Sequence, residues 1–396
     1  MKILVISFFY YPDLSAGSFR TKALTDKLLE HKKIDSIDVV TTYPNRYKNF
    51  KNEPIKTINN IKLNIHRIRV PKLGSGQIQQ SLIYLFFLIK AVIYTRGKNY
   101  DVIYATSAKL LTAVLGAIIS MYKKKPLYID FRDIFLDAYI DTGNKIISFI
   151  FIPIINQLEK FAITRANKIN LVSEGFYNYF YYKYPNKKYS FFTNGIDQDF
   201  INNNIFKNNM INSKKIEKRL TVLYAGNIGV GQGLEKIIPQ ISKKLEDKII
   251  FKIIGSGSLA SQLELKIKES KCSNILLLAP IGRDKMINEY INADILFLHL
   301  NDYDAYKKVL PSKIFEYAAT GKPIWAGVDG YAKKFLSEEV IGSWIFEPSN
   351  INSAIKSFKL IKNDWSDRQV FIKKYNRNII QKNLVDDILS IVKTVK

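Results

Sequence analysis

Short apolar runs, each about a strand in length, recur along this chain with a helix-length segment between successive runs, and that spacing leaves few folds open. In the first half the runs are Ile3 to Phe8, Ile37 to Thr41, Leu63 to Ile68, Val102 to Ala105, Leu127 to Asp130, Lys168 to Val172 and Ser190 to Thr193. In the second half they are Leu220 to Tyr224, Ile249 to Ile254, Ile275 to Leu278, Ile295 to His299, Lys322 to Ala326 and Ser343 to Phe346. Parallel strands need a crossover long enough for a helix, so the alternation predicts an α/β chain of doubly wound parallel sheets. With 396 residues the chain is too long for one ordinary core. The Asn- and Lys-rich stretch Asn202 to Lys218 has little pattern. It therefore predicts a first domain over 1–198, a linker over 199–218 and a second domain from residue 219.

In open parallel sheets ligands bind beyond the carboxyl ends of the strands, so the loops there are the places to look for chemistry. The segment Val309 to Pro323 reads as a loop that turns into a helix, with Pro311 fixing φ, Ser312 as N-cap and Gly321 as the stop. A helix start offers unpaired N–H groups and a partial positive charge, to which Lys313 adds a full one, and this suits a phosphate. Glu316, one turn on, can accept two hydroxyl hydrogens, as a ribose would supply. Read alone, the segment favours an ordinary capped helix packed on a sheet, with Lys313 and Glu316 as solvated surface charges; the rest of the chain reverses that preference.

Other strand ends carry similar groups. Gly17 and Arg20 follow the first run, where the glycine permits close backbone approach and the arginine can reach an anion. Asp130-Phe-Arg132-Asp133 follows the fifth, and Ser173-Glu174-Gly175 and Asn194-Gly-Ile-Asp197 follow the next two. In the second half Ala225 to Gly233 holds four glycines before a helical pattern, with Asn227, Gly229 and Gln232 among them. Its G-x-G-x-G spacing is not the dinucleotide fingerprint, and there is no Walker sequence. Gly255-Ser-Gly257 and Ile281-Gly282-Arg283 end the next two runs. Asp302-Tyr-Asp304 is formally a D-x-D, but no third oxygen ligand is recognisable, so no metal is expected. The three histidines are scattered and Cys272 is the single cysteine, which leaves no zinc-type cluster and no intrachain disulfide.

A formal charge of +25, from 60 basic and 35 acidic residues, attracts phosphorylated ligands, nucleic acid or anionic lipid. Two segments argue for lipid: Ser81 to Gly97 leaves little polar face, and Ile146 to Ile155 is similarly apolar, with Lys123-Lys124-Lys125 between them in sequence. Neither reaches the roughly 20 uninterrupted apolar residues of a membrane span, the second being cut short by Pro153 and Asn156. Met1-Lys2 and the apolar residues after it read as a first strand rather than a signal peptide.

In order and position these motifs resemble the GT-B glycosyltransferases of family 4, in particular the bacterial branch that builds capsule, O-antigen and other surface polysaccharides. The resemblance rests on Gly17-x-x-Arg20, Asp130-x-Arg132-Asp133, Ser173-Glu-Gly-Phe176, Asn194-Gly-Ile-Asp197, Tyr224-Ala-Gly-Asn-Ile-Gly229, Gly255-x-Gly257, Ala293-Asp294 and Pro311-Ser-Lys-Ile-Phe-Glu-Tyr317. It implies two Rossmann-like domains facing across a cleft, an acceptor-binding one and a nucleotide-sugar-binding one over 219–374, with a last helix over 375–396 crossing back to the first. It further implies retaining, metal-independent transfer from a nucleoside diphosphate sugar, UDP above all, to a lipid-linked saccharide, by an enzyme peripheral on the cytoplasmic face of the plasma membrane and not bound to nucleic acid.

Carried over by position, Glu316 would hold the donor ribose, and Ser312, Lys313 and the amides around Gly229 would face the diphosphate. Ile281 to Arg283 would meet the base, with Gly17, Asn227, Gln232 and Gly257 completing the donor contacts. Arg20, Asp130, Arg132 and Glu174 would serve the acceptor, and Asp133, Lys313 and Glu316 the chemistry. Where the family pattern has a further glutamate on the donor sugar, this chain has Lys308. Two rivals stand beside this reading: a nucleotide-sugar epimerase of the same fold, and a polyanion-binding protein on an α/β scaffold.

Overall fold

The computed structural model describes residues 1–13, 15–44, 61–71, 77–107, 109–134, 145–201 and 219–393. The predicted linker lies outside the described residues from 202 to 218, as do the side chains of residues 145–150 in the second apolar segment. The chain forms two compact units, Met1–Asn194 with Arg377–Lys396, and Gly195–Asn376. The first boundary thus falls before residue 198. Ile196 bridges to Asn376, Phe200 is buried in the second unit's core, and Asp197 and Asp199 both pair with Arg283, so these residues fold with the second unit.

The first unit is built on seven parallel strands, β1 (Lys2–Ile6), β2 (Ser36–Thr42), β3 (Leu63–Ile68), β4 (Val102–Ser107), β5 (Leu127–Phe131), β6 (Lys168–Leu171) and β7 (Tyr189–Ser190), in the order β3-β2-β1-β4-β5-β6-β7. Every residue of β4 and β5 is buried, because helices cover both faces of the sheet, and this is why these strands read as continuous rather than alternating apolar runs. Helix Ala16–Glu30 packs with the last helix, Arg377–Lys393, over a core that joins Val5, Leu24, Val39 and Tyr104 to Leu384 and Ile388. Helix Leu110–Lys123 packs between Gln77–Thr95 and Lys145–Arg165. The last of these runs on through Pro153 instead of stopping there, since the missing N–H removes one bond from the ladder while packing holds the rest. No helix among the described residues is long and apolar enough to cross a membrane.

The second unit repeats the plan with six parallel strands, β8 (Leu220–Asn227), β9 (Ile249–Ser256), β10 (Ile275–Leu278), β11 (Ile295–His299), β12 (Ile324–Gly327) and β13 (Ser343–Phe346), ordered β10-β9-β8-β11-β12-β13. Its centre is Trp325, packed on Phe297, Phe346 and Phe358 and donating its indole N–H to Ser357 Oγ at 2.9 Å. In each sheet the chain winds outward from its first strand and then crosses back to the other side. The direction therefore reverses between β1 and β4 and between β8 and β11, the positions at which such sheets open a crevice for ligands.

The last helix is tied down by one carboxylate. Asp387 accepts from Tyr128 Oη on β5 at 2.7 Å and from Ser190 Oγ on β7 at 2.8 Å, and it pairs with Lys168 on β6. Asp387→Ala leaves these donors without their acceptor and should cost about 1–3 kcal/mol. Hydrogen exchange should quicken across Arg377–Lys393 in that variant; unchanged protection there would show that apolar packing alone holds the helix.

Candidate functional site

Around the switch point of the second sheet two groups of side chains converge. The first surrounds Glu316, in the opening turn of helix Lys313–Ala319. Its Oε2 accepts from Lys313 Nζ at 2.7 Å and from Tyr290 Oη at 3.0 Å, and Lys313 Nζ lies 3.0 Å from the same phenol oxygen. The ammonium is a donor only, so Tyr290 accepts from Lys313 and passes its own proton toward Glu316. Arg283 completes the group, with Nη1 3.9 Å from Glu316 Oε1, Nε donating to Asp199 at 2.8 Å, and an ion pair to Asp197. Burial pushes the Tyr290 phenol well above its ordinary range, and the neighbouring Glu316 pushes it further. Burial opposes the charge on Arg283 and Lys313, but the carboxylates outweigh it and raise both.

This geometry alters three expectations. Lys313, predicted to face a phosphate, is engaged by Glu316 one turn away, and Arg283, predicted to meet a base, is shared among carboxylates over the face of Phe200. Ser312 does not act as the predicted N-cap: its backbone is already helical at φ −60 and ψ −25, it makes no capping bond, and Ile314 N bonds back to Pro311 O instead.

The second group shapes the glycine-rich loop after β8. Gln232 Oε1 accepts from Asn227 Nδ2 at 2.9 Å and from Gly229 N at 3.2 Å, so the two predicted donor-side amides hold each other. Gly257 supports the same loop from β9, where a Cβ would stand 2.3 Å from the Ile228 carbonyl oxygen. Ile281 packs against the core. Tyr290, Asp199, His299 and Asn301 were not legible as site residues, because each reaches the site through strand order rather than through a motif.

In the first unit the predicted acceptor residues divide. Arg20 and Asp130 are fully buried and face each other, Nε to Oδ2 at 2.9 Å and Nη2 to Oδ1 at 3.0 Å. Tyr104, Thr106 and Asn170 donate to the same carboxylate, and Arg20 also donates to the carbonyls of Phe192 and Thr193. Burial would raise the Asp130 carboxyl, and Arg20 outweighs it, holding the group below the usual carboxylate range. With every bond spent inside the protein, this pair fixes the ends of β4, β5 and β6 and does not offer itself to an acceptor. Arg132 lies beside Gly17, whose Cβ would be 3.6 Å from its Nε, and its Nη1 is buried with no hydrogen-bond partner among the described residues. Asp133 and Glu174 are exposed just beyond β5 and β6.

Two measurements follow from these buried titratable groups. Asp130→Ala should destabilise the protein by about 3–5 kcal/mol, since it strands a buried guanidinium, and urea unfolding will read it. His299, wholly buried, has its pKa lowered to about 4 by burial. Its folded value lies below its unfolded one, so the unfolded chain binds the proton first, and stability is full above about pH 6.5 and is lost as pH falls toward 4. Between pH 7.5 and pH 5 the wild type should lose about 2 kcal/mol more than His299→Asn; equal losses would mean that the imidazole titrates normally.

Residues 206–378 match the family described as Glycosyl transferases group 1. A stretch of 105 residues is 28% identical to WcaI of Escherichia coli (strain K12), named as a glycosyl transferase of colanic acid biosynthesis; it covers 26% of each protein, so the chain spans about a quarter of the length of the curated relative it matches. Among solved structures, sucrose-phosphate synthase from Thermosynechococcus elongatus is 12% identical with a TM-score of 0.77, covering 99% of both chains. HepE of Anabaena, solved in complex with UDP and glucose, is 16% identical with a TM-score of 0.68, covering 98% of this chain and 99% of that one. Residues 206–378 thus carry a glycosyl transferases group 1 domain, on a chain whose fold is the GT-B fold of glycosyltransferases.

Proposed function

We propose that the chain is a retaining, metal-independent glycosyltransferase that moves a sugar from a UDP-sugar to a lipid-linked saccharide in surface polysaccharide synthesis. The observation that carries the donor side is the Glu316 carboxylate, held in place by Lys313 and Tyr290 at the switch point beside the glycine loop. Glu316 would accept the two ribose hydroxyls with Tyr290 keeping it oriented, while Lys313, partly exposed, would exchange its carboxylate partner for a phosphate oxygen. The UDP complex of the similarly folded HepE and the name of WcaI support the donor and the pathway class.

In the reaction the bond from the anomeric carbon to the diphosphate oxygen breaks, a bond to the acceptor hydroxyl oxygen forms, and the hydroxyl proton leaves with the diphosphate or to solvent. Developing charge on the leaving group would meet Lys313 and the loop amides around Gly229. Arg132 and the exposed Asp133 and Glu174 would serve the acceptor, whereas Arg20 and Asp130 would act only by holding those strand ends. For the membrane side, Leu82, Leu85, Ile89 and Ile93 form an exposed apolar stripe on helix Gln77–Thr95, with Lys90 and Arg96 exposed beside it. An anionic bilayer surface fits that pattern.

Thermal unfolding with a panel of nucleoside diphosphates tests the donor side. At 100 times its dissociation constant a ligand adds about 2.7 kcal/mol, and Glu316→Ala should lose most of that shift for the one diphosphate that stabilises the wild type. A wild type stabilised by none of them sinks the donor reading. Release of an epimerised sugar without transfer would favour the epimerase alternative.

A further inference from the structure

His299 closes β11 with both ring nitrogens engaged. Nδ1 lies 2.6 Å from the carbonyl oxygen of Gln232, and Nε2 lies 2.9 Å from the amide nitrogen of Ser349. A carbonyl can only accept and an amide N–H can only donate, so the ring is the neutral tautomer with its hydrogen on Nδ1. Its place is built for it: Phe297 and Phe346 pack beside it, with ring centroids 6.2 and 6.0 Å from its own, and a Cβ on Gly327, opposite it on β12, would stand 2.3 Å from its Cδ2. Ser349, which receives the other end, holds a left-handed backbone at φ 59.

The neighbouring carbonyls of the glycine loop are held from the same strand end. Asn301 Nδ2 donates to Val230 O at 2.9 Å, and Asn301 N donates to Gly231 O at 2.8 Å. Three successive carbonyls, those of Val230, Gly231 and Gln232, are thereby turned toward the end of β11. Gln232 is also the residue whose side chain gathers Asn227 and the Gly229 amide. A change in the direction of its carbonyl therefore moves the amides that would meet a phosphate.

We propose that His299 is a positioning residue for the nucleotide site: its Nδ1–H, bonded to the Gln232 carbonyl, sets the shape of the 229–233 loop and through it the affinity for the donor's diphosphate. This rests on the donor reading of that loop. It assigns the imidazole two separable roles, one toward the loop through Nδ1 and one toward Ser349 through Nε2.

Two substitutions separate them. An Asn side chain places its amide N–H about where Nδ1 lies and keeps the bond to Gln232, whereas Gln reaches the Nε2 position and can serve Ser349 but not the loop. With UDP as the probe, calorimetric titration should give His299→Asn an affinity within about threefold of wild type and His299→Gln one about tenfold weaker, as the loss of one positioned hydrogen bond implies. Urea unfolding should place both variants below wild type alike. Equal affinity for UDP in all three proteins overturns the proposal, as does equal weakening in both variants, which would make the ring mere packing. Wild type that binds no UDP overturns the proposal together with the donor reading, whereas the first two results leave that reading standing. Should His299→Gln not fold, wild type labelled with ¹⁵N-histidine decides: the His299 Nδ1 resonance should shift when UDP is added, and an unmoved resonance overturns the proposal.

Discussion

Parallel pairing is the constraint from which the rest of this molecule follows. Strands that all run one way must be joined by crossovers, the crossovers become helices on both faces, and the sheets are left open only at the ends of their strands. That is why β4 and β5 are buried at every residue, and why clusters of polar side chains gather toward the ends of the strands. Glu316, the glycine loop and Asn301 in one unit, and Arg20 and Arg132 in the other, all stand there. Bond direction in the sheet and loop chemistry are one fact seen at two scales.

The two strand-end clusters handle charge in opposite ways. In the first unit Arg20 and Asp130 are removed from water and consume each other's hydrogen bonds, with Tyr104 and Asn170 taking the remaining lone pairs. Such a network is rigid because any loss leaves a buried charge uncompensated. Around Glu316 the ions are only partly covered: Lys313 keeps nearly a third of its side chain exposed, and Arg283 is divided among Asp197, Asp199 and Glu316. Ions that retain some water can change partners at modest cost, as a group must if it is to receive a ligand. The closed cluster therefore serves the fold, whereas the open one keeps partners that can be exchanged.

Several departures from the sequence reading share a cause. Ser312 has the composition of an N-cap but not the extended backbone, because the turn begins one residue earlier at Pro311. Arg20 and Asp130 have the composition of a binding pair, yet they are spaced 110 residues apart along the chain and meet inside it. Local pattern reports which residue types stand at a strand end; it does not report which way a side chain turns. Residues 195–201 join the second unit for a similar reason, since the apolar contacts of Ile196 and Phe200 lie there.

What the sequence by itself determined was periodic or local: the strand runs and their parallel sense, the division into two α/β units, the glycine loop, and the neighbourhood of Lys313 and Glu316 within one helical turn. These follow from hydrophobic period and short-range sterics, which are written residue by residue. Only the tertiary structure decided that Tyr290 would supply the phenol on Glu316, that Asp387 would clamp the last helix, and that His299 would bond the carbonyl of Gln232 from 67 residues away. Those contacts depend on strand order and on the space left at Gly327, and no window along the chain contains both partners.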